Sequence, residues 1–106
     1  MNSELVGKLE RRKYMNKAIL LKADDWEGLF VNGELVEEGH TLNEGASRIK
    51  YFLDLADEYL FNLRDMKEIW VTEEDEEIIN KTGGFPVYLN QMQENYESIH
   101  DLNGSD

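Results

Sequence analysis

The chain of 106 residues has no cysteine, one proline and two histidines. Without cysteine there are no disulfides, thiol nucleophiles or thiolate-bound zinc, which suits a reducing compartment. With so few histidines, a nucleophile and base would have to combine Ser or Thr with His40 or His100, and no nucleophile-elbow pattern is present. Gly83-Gly84 is followed by neither the lysine nor the hydroxyl residue of a phosphate-binding loop. These absences argue against the commonest enzyme classes.

Long apolar segments are also missing. The longest uninterrupted apolar run is the four residues Ala18-Ile19-Leu20-Leu21, whereas a bilayer span needs about 20. The basic residues 11–13 are followed by only a short apolar segment, which does not make a secretory signal. The sequence therefore predicts a cytoplasmic protein without membrane contact.

Charge of one sign dominates the composition. Asp and Glu number 23 against 11 Lys and Arg, for a net charge of −12. Residues 1–17 carry +3, which leaves −15 on the rest of the chain. Such a field repels nucleic acids and anionic membranes, and attracts basic surfaces over a Debye length of roughly 10 Å. The alternative is that the acidic excess only keeps a small protein soluble.

The first half of the chain predicts three strands. Residues 17–22 enclose the apolar run and predict a central strand. Asn32-Gly33, between the apolar stretches 29–31 and 35–36, predicts a hairpin with a type I′ turn. A two-residue loop fixes the register, and the expected opposite pairs are Val31 and Glu34, Phe30 and Leu35, Leu29 and Val36, Glu27 and Glu38, Trp26 and Gly39, and Asp25 and His40.

A long helix is predicted next. Thr41 and Glu44 match a capping box. The apolar stripe that follows indicates a core-facing helix rather than a coiled coil, and it consists of Leu42, Ala46, Ile49, Leu53, Ala56, Leu60 and Leu63, widened by Phe52 and Tyr59. The outer face carries Arg48, Lys50, Asp54, Asp57 and Glu58.

The second half predicts one strand and two further helices. Residues 67–71 are typical of a strand, and Thr72 can cap a short acidic helix that runs through Asn80 and is closed by Lys81 and Gly83. Residues 88–99 favour a final amphipathic helix, with an edge strand over 87–89 as the alternative.

The predicted fold is therefore α+β, in the order β-β-β-α-β-α. A right-handed crossover places the fourth strand beside the first, giving the sheet order 3-2-1-4. The long helix should cover one face, leaving the other to the terminal segments, a second subunit or a ligand. We expect one domain over residues 17–102, after a basic, loosely attached lead-in (1–16) with a weak helical stripe at Leu5, Val6 and Leu9, and before a frayed tail (103–106).

One local cluster has the chemistry of a site. The hairpin register brings Asp24 and Asp25 close to His40, and such groups can hold a divalent metal or form an acid–base pair. The simpler interpretation is that Asp25 and His40 only support the hairpin end. No cofactor is predicted.

The charge pattern instead predicts a protein-binding surface. Its candidate residues are the acidic run Glu73, Glu74, Asp75, Glu76 and Glu77, the hairpin carboxylates Glu27, Glu34, Glu37 and Glu38, and Trp26. Composition favours core positions over interface positions for both Trp26 and Trp70.

The leading hypothesis is a small acidic interaction module that binds a basic surface of a partner protein. Inhibitors of nucleic-acid enzymes fit best, because the phosphate-binding groove of such an enzyme is a cationic target. Immunity proteins, phage anti-defence proteins and DNA mimics belong to this class, and none requires direct contact with nucleic acid. The alternatives are a metal-assisted or acid–base enzyme centred on Asp24, Asp25 and His40, and a structural or regulatory homodimer.

Overall fold

A computed structural model of the chain describes residues 14–40 and 47–99. The predicted capping box at Thr41 and Glu44, most of the lead-in, His100 and the predicted tail lie outside these ranges. The elements are β1 (Ala18–Lys22), β2 (Glu27–Val31), β3 (Glu34–Gly39), α1 (Arg48–Tyr59), β4 (Lys67–Trp70) and α2 (Glu73–Thr82), with short 3-10 turns at Leu63–Asp65, Leu89–Gln91 and Tyr96–Ser98.

The strands form one sheet in the order β3-β2-β1-β4. The pairs β1/β2 and β2/β3 are antiparallel, and β1/β4 is parallel. The predicted α+β class and the predicted strand order are confirmed. The parallel pair requires the chain to cross over from β3 to β4, and α1 lies in that connection.

The hairpin turn forms as predicted, but its register shifts. Asn32 and Gly33 have φ of 50° and 84°, the two positive values that a type I′ turn requires. Phe30 pairs with Leu35 as expected. A β-bulge then shifts the register by one, so that the partners become Leu29 with Glu37, Gly28 with Glu38, and Glu27 with Gly39. The predicted pairs Leu29–Val36, Glu27–Glu38 and Trp26–Gly39 are wrong.

The bulge has a packing reason. Val36 packs into the cluster beneath α1, and the next residue, Glu37, accepts a hydrogen bond from the Tyr51 hydroxyl of α1 at 3.2 Å. Successive residues of a regular strand point to opposite faces, so two neighbours can meet the same helix only where an extra residue is inserted. Tertiary contact with α1 thus overrides the register set by the turn.

Each face of the sheet has its own apolar cluster. On one face, side chains of β1 and β2 pack against Phe52, Leu55 and Ala56 of α1. On the other face, Ile19, Leu21, Phe30 and Ile69 pack against Ile79 of α2 and against residues 85–99, which we call the C-terminal segment. The second face was expected to be covered by the terminal segments, a second subunit or a ligand. In the structure it is covered by α2 and the C-terminal segment of the same chain.

The C-terminal segment is not the predicted amphipathic helix. The Leu35 amide donates to the Val87 carbonyl at 2.8 Å, and the Leu89 amide donates to the Gly33 carbonyl at 2.7 Å. Residues 87–89 therefore run along the turn end of β3, close to the alternative interpretation as an edge strand. The apolar residues beyond, including Met92 and Tyr96, reach the core from irregular chain and 3-10 turns.

Helix α1 differs from its prediction in length and in rotation. It ends at Tyr59, and Leu60 has a left-handed φ of 58°. The Phe61 amide then donates to the Ala56 carbonyl at 3.1 Å, which turns the chain so that Phe61 is buried. The predicted stripe through Leu60 to Leu63 is therefore one turn too long.

The buried face of α1 consists of Phe52, Leu55 and Ala56, whereas Ile49 and Leu53 of the predicted stripe are exposed. Phe52 and Ala56 belong both to the predicted core face and to the observed one. The observed face is rotated about the helix axis, so that Leu55 is buried in place of Ile49 and Leu53. Helix α2 follows its prediction more closely, since Thr72 accepts from the Asp75 amide and Gly83 ends the helix with a φ of 86°. Neither α-helix of the described ranges has the length and apolarity to cross a bilayer.

Candidate interaction surface

Because β1 and β4 are parallel, their carboxyl ends meet at the same edge of the sheet. The Val71 amide donates to the Lys22 carbonyl at 3.0 Å, which joins the two strand exits. The Asp24 amide donates to Glu76 Oε1 at 3.3 Å, which brings the β1–β2 loop to α2. We call this surface the carboxyl edge, and it consists of Asp24, Asp25, Trp26, His40, Trp70, Glu73, Glu74, Glu76 and Glu77.

The predicted neighbours Asp25 and His40 do meet here. His40 Nδ1 lies 3.4 Å from Asp25 Oδ2, and the His40 ring stacks edge-on against Trp26 at 4.9 Å between centroids. Both side chains are exposed, so water screens any attraction between them and the contact contributes little stability. Within residues 14–40 and 47–99, no three His, Cys, Asp or Glu side chains are grouped so that they could hold a metal ion. The structure thus places Asp25 and His40 together at the hairpin end, and a metal or acid–base role for them stays a prediction.

Trp26 and Glu38 are committed to internal contacts. The Trp26 indole N–H donates to Glu38 Oε1 at 2.8 Å, and the same oxygen accepts from the Phe85 amide at 3.0 Å. The Phe85 ring packs on Gly28, where a Cβ would lie 2.5 Å from the ring. These contacts fasten the C-terminal segment to the hairpin.

Glu27 was expected on the binding surface and is instead buried, with 6% of its surface exposed. Its two carboxylate oxygens accept from the two terminal nitrogens of Arg48, each at 3.1 Å. Glu27 alternates with Leu29 and Val31 along β2, and all three face α1. The first turn of α1 therefore contacts the sheet through an ion pair, and Glu27 does not belong to the exposed acidic surface.

Asp75 is a second correction, since only 1% of its surface is exposed. Its carboxylate accepts from the Tyr96 hydroxyl at 2.7 Å and from the amides of Gln93 and Glu94 at 2.9 and 3.2 Å. Burial acts to raise the pKa of Asp75, but hydrogen bonds from Tyr96 and the two amides outweigh it and hold the pKa below its ordinary value. Burial, followed by the contact with Asp75, raises the pKa of Tyr96 to about 12.

The sequence contained a signal for this role. Asp75 is the third residue after the helix cap Thr72, the position from which a side chain points back to the cap and the chain around it. The acidic run therefore contains two kinds of residue. Asp75 is buried and holds the C-terminal segment, whereas Glu73, Glu74 and Glu77 face solvent.

The remaining carboxylates divide by location. Glu73, Glu74 and Glu77 are exposed on the first turns of α2, and no ion-pair partner is found for them in the described ranges. Glu76 is half-buried and holds the Asp24 amide. Glu34 lies beside the hairpin turn, at the opposite edge of the sheet. The predicted set of acidic residues is thus not one continuous surface.

Trp70 is the functional candidate that sequence analysis missed. It is 62% exposed, and its ring lies 5.1 Å from the Lys22 ammonium, which is also 4.0 Å from Glu68. Ile69 faces the α2 side, so its neighbours Glu68 and Trp70 face the α1 side, where the apolar cluster contains no residue of β4. The prediction of a core position is wrong for Trp70, and the presence of Glu68 on the same strand face was the available signal.

Comparison with protein-family models, curated proteins and solved structures finds no match to this chain.

Proposed function

We propose that this protein is a small acidic interaction module that binds a basic surface of a partner protein through its carboxyl edge. The observation that carries the proposal is an exposed indole, Trp70, followed closely in the chain by the exposed carboxylates Glu73, Glu74 and Glu77. Tryptophan is enriched among the residues that dominate binding energy, whereas peripheral charges mainly steer encounter and orientation. Trp70 is the proposed anchor, and the carboxylates are the proposed rim.

The chemistry of the partner follows from the charge. A net charge of −12 on 106 residues favours cationic protein surfaces and opposes phosphate backbones. Phosphate-binding grooves of nucleic-acid enzymes are such surfaces, so the module is proposed to act as an inhibitor in the manner of an immunity protein, a phage anti-defence protein or a DNA mimic. We place its action in the cytoplasm, in keeping with the absence of cysteine.

Affinity capture from the source organism tests this proposal with two matched baits. One bait carries Glu73→Gln, Glu74→Gln and Glu77→Gln, and the control removes three exposed charges elsewhere through Glu34→Gln, Asp54→Asn and Asp65→Asn. We expect wild type and control to retain a basic partner at low salt, and the first bait to lose it. Raising the salt from about 50 to 500 mM shortens the Debye length from roughly 14 to 4 Å and should release the partner from wild type.

Once a partner is identified, association and dissociation rates distinguish the role of the rim carboxylates from that of the Trp70 anchor. Neutralising the rim should slow association about tenfold and leave dissociation nearly unchanged. Trp70→Ala should instead speed dissociation and weaken the equilibrium affinity by about thirtyfold, as expected for loss of an anchor worth roughly 2 kcal/mol. Equal capture by both charge-reduced baits, or binding that is insensitive to salt, would contradict the proposal.

A further inference from the structure

Helix α1 leaves part of the sheet uncovered. The Tyr51 hydroxyl contacts Glu37 of β3, which fixes one flank of α1 toward that edge of the sheet. Helical periodicity then places Ile49 and Leu53 on the opposite flank, toward β4. Ile49 is 71% exposed and Leu53 is 49% exposed. Trp70 of β4 faces the same side of the sheet as α1, and we call Ile49, Leu53 and Trp70 together the apolar shelf.

Large apolar side chains that are exposed on one side of a sheet are candidates for contact with another chain segment. An open groove adjoins the shelf at Leu53 and continues past Ala56, Phe61 and Leu63. The exposed side chains of the shelf itself are apolar, so they suit contact with apolar side chains of a chain segment.

The chain itself enters at this groove. Tyr14 and Met15, the first described residues, line it, and the Tyr14 hydroxyl donates to Asp57 Oδ1 of α1 at 3.1 Å. The Asn16 side-chain amide donates to the Tyr59 carbonyl at 2.8 Å. The point of attachment of residues 1–13 is therefore fixed against the C-terminal half of α1, on the side that leads to the shelf.

Length and chemistry agree with that entry point. Ile49 lies eight residues before Asp57 on α1, a distance of about 12 Å along the helix axis. Residues 1–13 span roughly 20 Å even at helical rise, and more when extended. They contain the apolar residues Leu5, Val6 and Leu9, together with four basic side chains against two acidic ones.

The charges around the shelf are mixed. The acidic Asp57 and Asp65 and the basic Arg64 and Lys67 all line the groove. Glu68 and Trp70 both contact Lys22. Local charge therefore contributes less than apolar contact, and the acidic domain as a whole supplies the attraction for a basic segment. A second copy of the chain would bring its own net charge of −12 to the same place, which opposes self-association.

We propose that the N-terminal segment, residues 1–13, binds the apolar shelf through Leu5, Val6 and Leu9. The same indole, Trp70, is the anchor of the proposed partner site, so a bound segment competes with a basic partner for it. Disulfide cross-linking and fluorescence quenching of the isolated chain test this contact, and their results do not depend on whether the proposed function is correct.

Cross-linking tests the contact without interference, because the chain has no native cysteine. The full chain carrying Leu9→Cys and Leu53→Cys is oxidised mildly at low concentration. The matched control carries Leu9→Cys and Glu58→Cys, an exposed position on the opposite flank of α1. We expect an intramolecular disulfide that forms about tenfold faster in the first variant, because binding raises the effective concentration of the two thiols.

Every outcome decides the proposal. Equal rates in the two variants would overturn it, and a disulfide found only between chains would assign the shelf to a second copy. A cysteine-free measurement guards against misfolding of the variants. In a Trp26→Phe background, Leu5→Ser with Leu9→Ser should raise acrylamide quenching of Trp70 by about twofold, since the indole regains an open face. Unchanged quenching would also overturn the proposal.

Discussion

At the scale of single residues, the carboxylate of Asp75 is a buried hydrogen-bond acceptor that holds two parts of the chain together, and it is not a surface charge. It is buried and accepts hydrogen bonds from the Tyr96 hydroxyl and from two backbone amides of the C-terminal segment. That segment supplies Met92 and Tyr96 to the core beneath the sheet. A single ionised side chain therefore links the start of α2 to the C-terminal segment that covers this face of the sheet.

Replacing this residue, Asp75→Asn, should destabilise the fold by about 2 to 4 kcal/mol, because a neutral amide presents N–H groups to donors that need an acceptor. The measurement is urea unfolding, with Glu74→Gln as an exposed control. The Asp75 pKa is lowered in the folded state, so its contribution is complete above the unfolded pKa and disappears as the pH falls through the folded pKa. Below about pH 4 the wild type should thus lose its advantage over Asp75→Asn. A constant difference across pH would contradict this assignment.

At the scale of elements, the hairpin shows both what local sequence fixes and where packing overrides it. The turn residue Asn32 also joins the start of β1, since its side-chain oxygen accepts from the Lys17 amide at 2.9 Å and its side-chain amide donates to Asn16 at 2.9 Å. At Glu37 of β3, five residues after Asn32, the contact with α1 has already shifted the register.

Gly33→Val tests the turn. Gly33 has a φ of 84°, a conformation that a β-branched residue reaches only with strain of about 1 to 3 kcal/mol. The control is Glu34→Val, which places the same side chain one residue later, in strand β3. Thermal unfolding should show a loss of stability for the first variant alone. Similar stabilities for the two variants would remove the turn as the origin of the hairpin.

At the scale of the whole molecule, net charge opposes the compact state. The chain carries −12. In the described ranges only Glu27 and Glu68 have a Lys or Arg nitrogen within 4.0 Å, and Asp25 lies near His40, which is charged only when protonated. Of these, the Arg48–Glu27 pair is the one whose carboxylate is buried and therefore screened least by salt. Repulsion among the remaining carboxylates is screened readily.

Added salt should therefore stabilise this protein. Between about 50 and 500 mM KCl we expect the unfolding free energy to rise by roughly 1 kcal/mol, or Tm by about 4 to 8 °C. Calorimetry checks this, and the variant with Glu73→Gln, Glu74→Gln and Glu77→Gln should show a smaller rise because it carries three fewer negative charges. A fall of Tm with salt would indicate that attractive ion pairs dominate instead.

The sequence by itself determined the features that depend on near neighbours along the chain. Four features follow from local backbone or side-chain chemistry: the Asn32-Gly33 turn, the Thr72 cap, the end of α2 at Gly83, and the short β1 with its run of four apolar residues. The sheet order followed as well, because a parallel β4 leaves few arrangements that satisfy a right-handed crossover. These features needed no knowledge of what packs against them.

Only the tertiary structure decided which face each side chain meets. From the sequence alone, Glu27 and Asp75 are typical surface carboxylates. In the structure Glu27 is buried against Arg48 and Asp75 against Tyr96, each partner lying 21 residues away along the chain. Trp70 looked like a core residue until the position of α1 left the β4 face open. A wide apolar stripe is compatible with several rotations of a helix, and the energy that selects one comes from contacts between elements distant in sequence. Local pattern cannot encode those contacts, so the surface proposed for binding became visible only in the folded chain.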